Sequence, residues 1–186
     1  MARRQNAAAT KRIALRDELW PGESGKVWQG PDETGYFCAP RTLPLFLSVM
    51  QQKAISGSQD PAPVYVELMS RNMGEGIIVM VAEDEHAYAS GYTGNRATRT
   101  WRDRMKILEE RGFIKVKSKG GLKYGYVLLV HPTIVVQKLK EDGKIPEEWW
   151  KDWWVAYRSR QLEIGERQYE YFAQSEPATD GVEVSD

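Results

Sequence analysis

The side chains best suited to chemistry in this sequence are the arginines and lysines between residues 96 and 125. That stretch holds ten basic residues against three acidic ones, although the whole chain carries 26 of each. Salt screens Coulomb forces over about 8 Å, so attraction to phosphate depends on local rather than total charge. An arginine guanidinium is a planar fork that can bind a guanine edge or a phosphate with two hydrogen bonds. The segment therefore predicts binding of nucleic acid.

No other combination of residues predicts a reaction. His86 and His131 are the only histidines and Cys38 is the only cysteine, so no metal-ligand spacing can be formed. The acidic pairs at 84–85 and 147–148 fall at predicted helix starts, where the helix dipole favours carboxylates. We predict that the protein is not an enzyme and that it uses no cofactor and no metal.

Composition and charge distribution divide the chain into five segments. Residues 1–16 carry five basic and no acidic residues and predict a flexible basic arm, whereas residues 175–186 carry four acids and predict a disordered tail. Residues 17–40 predict an N-terminal extension with a candidate β-hairpin, 41–131 the main domain, and 132–174 a helical extension. No apolar run approaches the ~20 residues that a membrane span needs. A single cysteine fits a reducing compartment, and we expect a cytoplasmic protein.

Hydrophobic periodicity predicts an α+β, mainly helical chain. A continuous apolar run at 77–81 predicts a buried strand, and Gly112 predicts the end of the helix before it. The predicted order is helix, helix, strand, helix, turn, helix and hairpin. The corresponding ranges are 43–55, 64–72, 77–81, 84–90, 91–95, 96–111 and 113–131.

This order resembles the winged helix–turn–helix superfamily. The resemblance is carried by Ala89–Thr93, which leads into the long helix, and by Leu108–Ile114, where that helix ends in a basic residue, a glycine and an aromatic residue. It implies a winged helix core with a β-hairpin wing over residues 41–131 that binds double-stranded DNA. A fainter likeness to uncharacterised plasmid, phage and other mobile-element proteins is carried by residues 35–37, 40–44 and 100–104. We expect a transcriptional regulator, and the alternative is a DNA-binding protein that serves replication or maintenance of a mobile element.

The long helix is predicted to carry the DNA-reading side chains. At about 100° per residue, Trp101, Met105 and Leu108 fall on one side with Thr98, and an arginine-rich face falls on the other. Arg96 and Arg99 are candidates for base contact, and Arg102 and Lys106 for phosphate contact. Lysines alternate along the predicted wing. The predicted DNA-binding residues are Thr93, Asn95, Arg96, Arg99, Thr100, Arg102, Lys106, Lys115, Lys117, Lys119 and Lys123.

A second feature is the aromatic stripe of the C-terminal helix, which begins at Pro146. Its side chains recur at i,i+4 spacing, which is typical of core packing and also of a homodimer interface. The candidate interface residues are Trp149, Trp150, Trp153, Trp154 and Tyr157. If this helix instead docks another protein, the chain would be a protein-interaction adaptor without DNA binding.

Overall fold

The structure is a computed structural model that describes residues 10–11, 13–15, 17–19, 21–22, 37, 39–73 and 76–165. The chain divides into two compact units, residues 1–36 and residues 37–186. In the first unit, the described residues between 10 and 19 are helical and exposed, so this part of the predicted flexible arm has regular structure. Alanine, leucine and lysine favour helix there. The predicted acidic tail and most of the candidate N-terminal hairpin lie outside the described residues.

The second unit is α+β and mostly helical, as the sequence predicted. Its described elements, in chain order, are α1 (Leu43–Met50), α2 (Lys53–Ser56), α3 (Ala62–Arg71), β1 (Ile77–Val79), α4 (Glu83–Ala89), α5 (Ala97–Glu110), β2 (Ile114–Lys119), β3 (Leu122–Leu129), α6 (Pro132–Glu141) and α7 (Glu147–Ile164).

The three strands form one antiparallel sheet in the order β1-β3-β2. On the inner face, Ile78 and Ile114 are buried against the helices together with Val127. The prediction of a fully buried strand at 77–81 is wrong for alternate residues, because Ile77 and Val79 are each 46% exposed. β1 lies at the sheet edge, and one face of an antiparallel sheet can remain in contact with water.

Helix α5 packs its apolar side into the core in the predicted orientation. Trp101, Met105 and Leu108 have no exposed surface, whereas Arg99 and Lys106 on the opposite side are exposed. The helix ends where predicted, because Gly112 adopts the positive φ of 83° that a residue just past a helix terminus often needs. The next residue, Phe113, is buried and meets Tyr65 edge to face with ring centroids 5.8 Å apart.

Helix α7 is attached to α1 through the middle of its aromatic stripe. The Trp153 ring packs against Phe46 at 6.0 Å and stacks on Tyr157 at 5.0 Å, and its Nε1 donates a hydrogen bond of 2.8 Å to the Leu45 carbonyl oxygen. Trp153 is 4% exposed and Tyr157 is fully buried. These two candidate interface residues therefore belong to the core of their own chain.

Replacing Trp153 with alanine is expected to lower the free energy of unfolding by about 3–5 kcal/mol, because a buried indole and its hydrogen bond are lost. Val155, on the same helix, is 68% exposed, and Val155→Ala should change stability by less than about 0.5 kcal/mol. Urea denaturation followed by circular dichroism measures both. Equally small effects would contradict the packing of α7 on α1.

Candidate nucleic-acid interface

Trp101 fixes the rotation of α5 about its axis. Its ring meets Tyr124 edge to face at 5.6 Å and stacks on His86 at 6.0 Å. His86 is itself buried, and its Nδ1 lies 3.0 and 3.1 Å from the two carboxylate oxygens of Glu67 on α3. α4 and the hairpin contact the Trp101 ring directly, and α3 supports it through the contact of Glu67 with His86. Because these contacts fix the buried side of α5, the side opposite Trp101 faces solvent.

The solvent-facing side of α5 carries the side chains predicted to read DNA. Arg96 and Arg99 are exposed, and neither takes part in an ion pair within the described part of the chain. Lys106 is exposed and lies 3.7 Å from Glu110 one turn later, a distance at which an exposed pair contributes little. Thr100 is half-buried. Two guanidinium groups are therefore available at the N-terminal half of the helix.

Arg102 forms an ion pair within the fold. Its Nε donates to Glu83 Oε2 at 2.7 Å, and its Nη2 contacts the same oxygen. Glu83 is only 6% exposed and begins α4. The guanidinium therefore neutralises a nearly buried carboxylate and ties α5 to α4, which gives Arg102 a structural role, and its contact with phosphate stays a prediction.

Tyr92 connects the turn between α4 and α5 to both helices. Its N–H donates to the Ala87 carbonyl oxygen at 2.9 Å, and the Arg104 guanidinium lies 5.8 Å from the centre of its ring. Burial raises the pKa of the Tyr92 phenol. Thr93 and Asn95 are exposed in this turn, and neither caps the helix, because Arg96 occupies the N-cap position without a side-chain hydrogen bond.

The β2–β3 hairpin departs from regular alternation near its turn. Its register shifts between Lys117 and Lys119, opposite residues 123–125 of β3, and this irregularity turns Tyr124 towards Trp101. A Cβ atom on Gly125 would lie 2.3 Å from the Cβ of Lys119, so only glycine fits there. The Lys119 ammonium in turn lies 5.3 Å from the centre of the Tyr126 ring.

Lys123 joins the hairpin turn to α5. Its Nζ donates to Glu109 Oε2 at 3.0 Å and to the Tyr124 hydroxyl at 3.2 Å. The hydrogen bond to Glu109 is the main cause of a raised pKa at Lys123, and the bond to Tyr124 adds to it. Helix and turn thus border a groove of about 460 Å³. The groove is lined by Glu83, Arg102, Asp103, Lys106, Gly121, Leu122, Lys123 and Tyr124.

Apart from Lys119, the predicted DNA-binding lysines fall into two groups. Lys106 and Lys123 meet at the groove beside α5. Lys115 and Lys117 instead point away from the core on the outer face of the sheet, where they are paired in register with Leu128 and Tyr126. The β2–β3 hairpin therefore presents positive charge on its outer face as well as at the groove beside α5.

Glu83, whose carboxylate binds Arg102, is a functional residue that the sequence did not predict. The two residues are 19 positions apart in the chain. The only sequence signal was an acid at the start of a predicted helix, which the helix dipole already explains. Pairings between separate helices depend on how the helices pack, and periodicity within one helix does not carry that information.

None of the helices among the described residues has the length and apolar character of a membrane span. The described residues also contain no group of three or more histidine, cysteine, aspartate or glutamate side chains placed to hold a metal ion.

Comparison with known proteins found no matching protein-family model, no similar curated protein and no similar solved structure.

The Arg102→Ala variant is expected to lower the free energy of unfolding by about 1–3 kcal/mol, because it leaves the Glu83 carboxylate nearly buried without its cation. Arg99→Ala, one turn away on the exposed side, should change stability by less than about 0.5 kcal/mol. The double variant Glu83→Gln/Arg102→Ala should recover part of the loss. Thermal or urea unfolding of the three variants measures this, and equal stability of the two arginine variants would disprove the structural role of Arg102.

Proposed function

We propose that residues 41–131 form a winged helix–turn–helix domain that binds double-stranded DNA and performs no chemical reaction. In this proposal α4 and α5 are the helix–turn–helix pair, α5 is the recognition helix and the β2–β3 hairpin is the wing. The order α3-β1-α4-α5-β2-β3, with the sheet order β1-β3-β2, supports the assignment. The major groove of DNA, about 12 Å wide, admits an α-helix.

The observation that carries the proposal is the contrast between the two sides of α5. The buried side packs Trp101, Met105 and Leu108 into the core, whereas the other side contributes no buried side chain. On that other side Arg96 and Arg99 are exposed, and no described acid neutralises them. If Arg96 and Arg99 had a structural role, we would expect each to bind a carboxylate within the fold, as Arg102 binds Glu83.

In the proposed complex the arginines and lysines have separate tasks. Arg96 and Arg99 contact base edges, because two parallel N–H groups match the O6 and N7 acceptors of guanine. The lysines contact phosphates, because an ammonium group carries charge without a fixed direction of bonding. Lys106 and Lys123 do so beside the helix, and Lys119 does so at the hairpin end. Sequence-selective binding of this kind fits regulation of transcription in the cytoplasm.

Binding to duplex DNA is expected to weaken steeply with added salt, because each neutralised phosphate releases counterions. Lys119→Ala should weaken binding on all sequences alike and reduce the slope of log affinity against log salt by about 1. Arg99→Ala should instead relax the preference at one base position, at a loss of about 1–3 kcal/mol. Fluorescence anisotropy with selected and scrambled duplexes measures both.

The matched control is Lys144→Ala, since Lys144 is exposed in the loop between α6 and α7. This variant should leave affinity and salt slope nearly unchanged. If binding is insensitive to salt, the protein-interaction adaptor would replace the proposal. Equal small effects of Arg99→Ala and Lys119→Ala would remove the division between reading and anchoring residues.

We also propose that the protein acts as a homodimer, with contacts from the half-buried part of the aromatic stripe. Trp150 and Trp154 stack on each other at 5.6 Å and keep accessible surface, as does Trp149. Paired recognition helices would then address half-sites about one DNA turn apart. Light scattering at micromolar concentration should give twice the monomer mass, and Trp150→Ala should shift the equilibrium towards monomer. A wild-type monomer would refute this interface.

A further inference from the structure

Asp103 lies on the outward side of α5. At about 100° per residue, it lies roughly 170° from the mean direction of the buried Trp101, Met105 and Leu108. It is also at the middle of the 14-residue helix. Any surface that α5 presses against with its exposed side therefore meets the Asp103 carboxylate together with Arg99, which precedes it by one helical turn.

Three other acids on or beside α5 have cations of their own. Glu83 is bound by Arg102, Glu109 accepts from Lys123 at 3.0 Å, and Glu110 lies 3.7 Å from Lys106. Asp103 is exposed and takes part in no ion pair within the described part of the chain. Its carboxylate therefore has no direct ion pair to lose when a partner approaches.

A carboxylate without an ion-pair partner repels phosphate when its surface approaches DNA. It becomes favourable only where the partner presents a hydrogen-bond donor. In the major groove cytosine presents its N4 amino group as a donor, and aspartate can accept from it. Guanine, the partner of cytosine in the base pair, presents the two acceptors that an arginine fork binds.

We propose that Asp103 is a specificity-determining residue that reads the N4 amino group of a cytosine, with Arg99 reading guanine beside it. This inference rests on the proposed function, since it names the bases that the same helix face selects. The recognition surface then combines an acceptor and a donor fork one turn apart, and it selects G·C base pairs in a fixed order. Repulsion of phosphate by Asp103 further suppresses binding to sequences without cytosine at that position.

The test compares duplexes selected from a random pool by the full-length chain and by three variants. The wild type should select cytosine at one position. Asp103→Asn should select adenine there, because an amide pairs with the N6 and N7 atoms of adenine, and should keep the other positions unchanged. Asp103→Ala should lose the preference at that position and bind the wild-type duplex roughly 5- to 150-fold more weakly.

The matched control is Glu110→Gln, which also removes one exposed acid from α5. This variant should bind all duplexes slightly more tightly, by less than about fivefold, with the selected sequence unchanged. Asp103→Ala behaving like this control would show that the carboxylate only repels, and the inference would be overturned. Retention of cytosine by Asp103→Asn would overturn it as well.

The failure of this inference is distinguishable from the failure of the proposed function. A wild-type chain that binds duplex DNA with steep salt dependence but selects no cytosine overturns the role of Asp103 alone. A wild-type chain that binds no duplex at any salt concentration overturns DNA binding itself, and the role of Asp103 with it.

Discussion

The burial of one indole determines the arrangement of the second unit. Trp101 is enclosed by His86 from α4 and by Tyr124 from the hairpin, and Glu67 on α3 holds the imidazole in place. A large aromatic side chain contributes more apolar area than any other residue of α5. Rotating the helix would expose that area, so the direction of its polar side follows from the packing of its apolar side.

Ion pairs within the fold then involve some of the charged side chains that surround this helix. Two acids that could have cancelled the positive face are used inside the fold, Glu83 by Arg102 and Glu109 by Lys123. Each pair also links α5 to a neighbouring element, α4 in one case and the hairpin turn in the other. Arg96, Arg99 and Asp103 remain on the exposed side of α5, without an ion-pair partner among the described residues.

Much of this arrangement could be predicted from the sequence, because its signals are local. Periodicity and Gly112 placed α5 at 96–111, within one residue of its observed limits at both ends, and predicted its buried side. The exposure of Ile77 and the bond between Arg102 and Glu83 could not be predicted, since strand order and helix packing decide them. The aromatic stripe of α7 indicated burial, but only tertiary contacts with Phe46 show that Trp153 is buried within its own chain.

Because the two sides of α5 use different residues, exposed residues of this helix can be exchanged without changing the core. Arg96, Arg99 and Asp103 make no contact on which the core depends, so a library that varies them together should retain the fold. Arg102 must stay constant in such a library, although it occupies the same helix and is itself largely exposed. The fold and the charge of the exposed surface are thus determined by interleaved but different residues, and that surface can be varied without redesigning the interior.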